Sequence, residues 1–186
     1  MKKILINIVL LFFITSNVNA HISHYKNFKK IEMEIFLNNK LIGYNYYFFK
    51  IDKDITLITN QIKFTVKVLG ATIFEVEGYG EEKYNKDKLI SFNSRTKQNK
   101  KEKFVNLKLD KKNDEFMIKG SSYTGKAATN NVVGNWWNHK LLQVESQISP
   151  ISGSIKKQII TFIAKEKIKL YGKNFDTEHF KLKSTD

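Results

Sequence analysis

Apolar and polar side chains alternate with a period of two along nearly the whole chain, a rhythm that suits half-buried β-strands and leaves little room for helix. Ile31, Met33, Ile35 and Leu37 alternate with Lys30, Glu32 and Glu34. Asn38-Asn39 follows, a pair that tolerates positive φ and so predicts a tight hairpin. A second strand runs from Leu41 to Ile51. In the third, Ile55–Leu69, Ile62, Phe64, Val66 and Val68 share one face, while Lys63, Thr65 and Lys67 share the other. Gly70 breaks it, and Ala71–Tyr84 continues with Phe74 and Val76 opposite Glu75 and Glu77. Further strands read at 89–98, 103–110 and 115–121, separated by polar turns. These seven strands predict an antiparallel meander with one dry and one wet face.

Residues 122–153 interrupt the rhythm. They are rich in Ser, Asn and Gly, and Asn135 is placed to cap a short helix over Trp136–Leu142. Pro150, Ser152 and Gly153 make the next turn. Strands resume at 155–164, 167–170 and 179–183, about ten in all, and a sheet of that length curls into a barrel or half-barrel. The last strand has no partner downstream, so either the sheet closes with an earlier strand or the edge stays open, as it would in a chain cut short.

The N-terminus gives an address. Met1-Lys2-Lys3 is a basic start, Ile4–Ile14 is apolar apart from Asn7, and the stretch ends Val18-Asn19-Ala20. Residues 1–20 read as a secretory signal peptide, too short to remain as a spanning helix, with residues 21–186 forming a single β-barrel-like domain. A periplasmic or secreted location follows. No later window of about eighteen apolar residues exists, so no transmembrane segment is expected after cleavage. Cysteine is absent, which removes a disulfide, a thiolate nucleophile and a lipid-anchoring residue.

The net charge of +14 falls to +12 when Lys2 and Lys3 leave with the signal. Arg95 is the only arginine; every other basic residue is lysine. Base readout and phosphate clamping favour the planar arginine fork, so no nucleic-acid partner is expected. Scattered lysines suit solvent, with attraction to an anionic lipid surface as a secondary role.

Several segments resemble one family of exported bacterial β proteins, catalogued as domain of unknown function 6134. They are Glu34-Ile35-Phe36-Leu37-Asn38-Asn39-Lys40-Leu41-Ile42-Gly43, Phe64-Thr65-Val66-Lys67-Val68-Leu69 and the stretch from Tyr84 through Ser91-Phe92-Asn93-Ser94-Arg95-Thr96 to Asn99. Asn135-Trp136-Trp137-Asn138 and Ile151-Ser152-Gly153-Ser154-Ile155 complete the set. The resemblance implies an architecture like that of periplasmic lipoprotein carriers and brings no activity. It also implies a terminal hairpin with an aromatic-Tyr-Asp turn, which this chain lacks.

Candidate chemistry is sparse. Adjacent Trp136 and Trp137 point in different directions and cannot both plug one core, so one is expected to cap the open end of the barrel while the other lines a ligand cavity or its mouth. Phe64, Val66 and Phe74 are candidates for the wall of that cavity. Tyr44 and Tyr46, in phase with Phe48, form an aromatic strand face assigned to core packing, with ligand contact as the alternative. A mature N-terminus at His21 offers an amine and an imidazole to copper, but His24, His139 and His179 are the only other imidazoles and nothing fixes one nearby, so no metal site is assigned. Glu75 and Glu77 share a strand face among lysines and read as solvated. Gly78 and Gly80 lack the strand-to-helix setting of a phosphate loop. No hydrolase motif is present, so no catalytic residue and no cofactor is assigned. The expectation is a non-enzymatic protein holding a small apolar or amphipathic, lipid-like ligand in a curled sheet. The alternative is a structural protein with a filled core that pairs through an exposed edge strand.

Overall fold

The computed structural model describes Tyr25 and residues 27–184. The signal peptide expected over residues 1–20 therefore lies outside the described residues, as do His21 and His24. Twelve strands build two sheets. The first is an eight-stranded meander in sequence order: β1 (Lys30–Leu37), β2 (Lys40–Asp52), β3 (Ile55–Val68), β4 (Ala71–Asn85), β5 (Lys88–Gln98), β6 (Lys101–Asp110), β7 (Glu115–Gly120) and β8 (Thr124–Ala128). The second holds β9 (Val132–Val133), β10 (Ser146–Ile148), β11 (Ile155–Leu170) and β12 (Lys173–Ser184), in the order β12-β11-β10-β9. The mainly β, antiparallel meander read from the sequence is the observed fold, with one exception: β9 and β10 pair in parallel.

Turn chemistry explains the connections. Asn38-Asn39 (φ 49° and 62°) and Asn99-Lys100 (φ 46° and 66°) supply the two consecutive left-handed residues that a two-residue hairpin needs. Pleating then sorts the side chains. On the inner face of the first sheet, Phe49, Ile58, Glu82, Phe92, Leu107 and Ile118 lie in one row across β2 to β7. All of these except Glu82 join a core shared with Val133, Trp137 and Ile148. A bulge where β4 meets β5 lets both Leu89 and Phe92 turn inward, breaking the period of two.

The segment between β8 and β11 crosses this inner face. Ser94 Oγ on β5 donates to Pro150 O at 2.6 Å, and Ser122 N donates to Ser152 O at 3.0 Å. The cover lies so close to β7 that a Cβ on Gly120 would sit 2.4 Å from Ser152 O. Gly153, at φ 78°, completes the contact, which gives the Ile151-Ser152-Gly153-Ser154-Ile155 segment its physical role.

Three expectations change. The sheet does not close among the described residues: β1 and β8 are its edges, and the later strands form their own sheet instead of returning to β1. The half-barrel alternative is the one compatible with this order. The helix over Trp136–Leu142 is replaced by a 3-10 turn, His139–Gln143, capped by Asn138 rather than Asn135. Asn135 is drawn away because its side chain bonds the core, as described below. Finally, the strands expected at 155–164 and 167–170 are one, β11, which pairs with β12 along its length through the turn Tyr171-Gly172, and the other edge of β12 stays open among the described residues. Polar β8 and the very short β9 and β10 fall inside the stretch that reads as loop.

Candidate ligand cavity beneath Trp136

The middle of the inner face is not filled by large side chains. One row across β2 to β5 reads Asn45, Ile62, Gly78, Thr96, and the next reads Tyr47, Asn60, Gly80, Ser94. Two glycines on β4 leave the centre of both rows without side chains. The result is a cavity of about 230 Å³ lined by polar Asn45, Asn60, Ser94 and Thr96 interspersed with apolar Ile62, Phe92 and Ile151. Trp136 covers it.

Its polar groups are ordered. Asn60 Nδ2 donates to Asn45 Oδ1 at 2.5 Å, Asn45 Nδ2 donates to Tyr47 Oη at 2.8 Å, and Trp136 N donates to the same hydroxyl at 3.2 Å. Burial pushes the Tyr47 phenol well above its ordinary range, against the lowering effect of these two donors, so it stays neutral at physiological pH. Thr96 is a buried residue that lines the cavity, and its hydroxyl has no hydrogen-bond partner among the described residues. That leaves one donor and acceptor facing the empty space.

A second polar cluster fixes the cover. Glu82 on β4 is 2% exposed. Its Oε1 accepts from Asn135 Nδ2 at 2.6 Å and Trp137 Nε1 at 2.8 Å, and its Oε2 accepts from Tyr84 Oη at 2.5 Å. No cation pairs with this carboxylate among the described residues, and desolvation raises its pKa, with the three donors pulling the other way. Each residue of the Asn-Trp-Trp-Asn segment thus has a distinct task. Asn135 and Trp137 bind Glu82, Trp136 offers its backbone to Tyr47 and its indole to the cavity, and Asn138 caps the next turn.

The two tryptophans part as their adjacency requires. Trp137 is buried among Tyr25, Phe49 and Tyr84, with ring centroids 5.4 to 5.8 Å away and edges toward faces. Trp136 is 57% exposed at the cavity. Phe64, Val66 and Phe74 lie on the same inner face, half-buried, next along β3 and β4 from Ile62 and Gly78. The Phe64 and Phe74 rings are 5.8 Å apart.

Tyr44 and Tyr46 are not brought there. Their rings stack at 4.5 Å on the opposite face, with Lys30 Nζ 4.8 Å from the Tyr46 ring. The core side of β2 is Asn45, Tyr47 and Phe49, so the core assignment of Tyr44, Tyr46 and Phe48 is corrected. Polar Asn45, in phase with Tyr47 and Phe49, had disguised the inner face. Asn45, Asn60, Ser94 and Thr96 escape a reading that seeks apolar periodicity. Their signal is polar letters in the buried phase of consecutive strands.

The remaining candidates sit elsewhere. Glu77 pairs with Lys63 at 3.2 Å on the outer face, and the Glu75 backbone N–H donates to Asn99 Oδ1 at 2.8 Å. His179 Nδ1 meets Glu166 Oε1 at 2.8 Å on the exposed β11–β12 hairpin, while His139 lies against Tyr25. Among the described residues no group of three or more His, Asp or Glu is placed to hold a metal.

No curated protein and no solved structure matches this chain, so the expected likeness to lipoprotein carriers gains no support there. A family profile, however, covers residues 33–186, and thus every strand from β2 to β12 together with the cavity, its cover and most of β1. By that match the chain belongs to the family described as a domain of unknown function, DUF6134.

Proposed function

We propose that this chain is an exported, non-enzymatic protein that holds a small amphipathic ligand with its polar end under Trp136 and its apolar end along Phe64, Val66 and Phe74. The observation that carries this reading is the cavity of about 230 Å³ whose lining sets amides and hydroxyls among aromatic and aliphatic groups. It is smaller than the ~300 Å³ at the low end of pockets for drug-sized ligands, which suits entry of one end of a longer molecule. The apolar strip continues directly from the cavity along β3 and β4. Export rests on the character of residues 1–20.

The competing reading is a filled-core protein that pairs through an edge strand. The Trp137 plug favours it, but β12 carries Lys173, Lys181 and Lys183, and charged edges resist pairing.

Native mass spectrometry with lysophosphatidylglycerol as the probe separates the two. A one-to-one adduct that is lost in Thr96→Val and Trp136→Ala supports the cavity. Retention of the adduct in both variants, or no adduct in the parent chain, overturns it.

A further inference from the structure

Among the described residues nine non-glycine residues have positive φ, and seven of them are Asn, Lys or Asp. The two exceptions are Leu69 (φ 50°) and Tyr171 (φ 50°), each followed by a glycine at a hairpin tip. Both side chains stand fully in solvent, at 103% and 101% exposure. A leucine in the left-handed region carries a steric cost of about 1 kcal/mol that Asn largely avoids. Burial repays none of it here, because the side chain touches nothing.

The Leu69 hairpin also extends past the pairing of its sheet. The last β2–β3 pair is Gly43 with Phe64, and the β4–β5 pairing stops at Val76 with Gln98. Thr65–Phe74 therefore continues as a hairpin paired with neither neighbouring strand. It carries exposed Val68, Leu69 and Ile73 and a single charge, Lys67. At the same end of the sheet, the β1–β2 hairpin exposes Phe36, Leu37 and Leu41. Lys40, Lys67, Lys100 and Lys101 surround these apolar tips, all exposed and without an ion-pair partner among the described residues. The acids at this end, Glu34, Glu75, Glu77 and Glu102, stand back from the tip of the hairpin, and Glu77 is already paired with Lys63.

From this arrangement we infer that the Leu69 hairpin is a docking point for an anionic lipid bilayer, with Leu69 and Val68 entering the interface and the lysines meeting the headgroups. Apolar side chains ringed by unpaired cations match the two layers of such a surface, hydrocarbon below and negative charge above. A groove on a protein partner would call for hydrogen-bonding side chains at the tip, and from Val68 to Ile73 the only one is Thr72. The inference stands apart from the cavity and does not need it to be occupied.

The absence of cysteine makes the test direct, because a single introduced thiol is a unique label site. Thr72→Cys, carrying an environment-sensitive fluorophore, is mixed with phosphatidylglycerol vesicles that include a nitroxide-labelled phospholipid. Lys53→Cys, in the turn at the other end of the sheet, is the comparison. The label at residue 72 is expected to shift to the blue and be quenched, and the label at residue 53 to stay as in water. Phosphatidylcholine vesicles should give a weaker signal. Leu69→Asn, which suits the left-handed turn and so keeps the fold, should weaken vesicle affinity about tenfold. Equal behaviour of the two labels, an equal signal on neutral vesicles, or unchanged affinity in Leu69→Asn overturns the inference. So does a concentration-dependent dimer that Leu69→Asn disperses without any vesicle contact.

Discussion

Trp137 donates its indole N–H to Glu82 Oε1 across 2.8 Å, joining two residues 55 positions apart. The indole also closes an aromatic box with Phe49 and Tyr84. One side chain thus fills the core and satisfies the only fully buried carboxylate among the described residues. Trp136, its neighbour, does neither. Trp137→Ala should cost about 3–5 kcal/mol of stability, whereas Trp136→Ala should stay within about 0.5 kcal/mol. Urea denaturation of both variants checks the split, and comparable losses would contradict it.

Glu82 tests the polar half of the same contact. Both of its oxygens accept, so Glu82→Gln presents an amide N–H₂ to groups that are themselves donors. The expected loss is about 1–3 kcal/mol, despite near-identical shape. The amide keeps one oxygen for Asn135 and the indole and turns its N–H₂ to the Tyr84 hydroxyl, so Tyr84→Phe should lose less in Glu82→Gln than in the parent chain. A double-mutant cycle measures this coupling.

The carboxyl of Glu82 also gives a pH signature. Burial raises its folded pKa above the unfolded value, so the folded state holds the proton more tightly. Its stabilising contribution is therefore complete below the unfolded pKa of about 4.5 and is lost as pH rises through the folded pKa. Stability measured upward from pH 4 should fall across that window in the parent chain more than in Glu82→Gln. Matching profiles would remove Glu82 as the source.

Gly120→Ala probes the seat of the cover. The added Cβ would lie 2.4 Å from Ser152 O and 3.0 Å from Gly153 Cα, both backbone atoms with little freedom to retreat. We expect a loss of about 1–3 kcal/mol. Gly70→Ala meets no atoms within 4 Å and suffers only from its φ of 84°, so it should cost about 1 kcal/mol. Thermal melts of the pair rank the two effects.

Thr96→Val removes a hydroxyl at the cavity that has no partner among the described residues. The change should leave stability equal or slightly higher, since nothing loses a bond and a polar group leaves the interior. A clear loss of stability would show that the hydroxyl is already engaged.

Alternation made the meander legible because each strand of the first sheet has one wet face, so parity alone places Ile58, Phe64 or Val76. Parity failed where the inner face is polar. Asn45 and Thr96 look like surface letters, and only neighbouring strands reveal that they are buried. It failed again across residues 122–153, where position is set by distant groups: Asn135 is a good helix cap in isolation, but Glu82 outbids the local turn. The separation of Trp136 from Trp137 could be foreseen from adjacency, while the cavity beside Trp136 depends on Gly78 and Gly80, which carry no pattern of their own. The long β11–β12 hairpin was obscured by its bulge at Phe162/Ala164, which shifts the alternation midway.

The cover that runs over β2 to β7 has a consequence for the order of assembly. Adjacent strands of the meander can zip together through short turns, each closing a small loop at modest entropic cost. The cover cannot seat until its floor exists, because its anchors on Phe49, Glu82, Ser94 and Gly120 come from four strands. Acquisition of the native state is therefore governed by a late, non-local step, which makes this chain a slow folder for its size. In a refolding experiment, signals from the sheet backbone should develop before Trp137 leaves water.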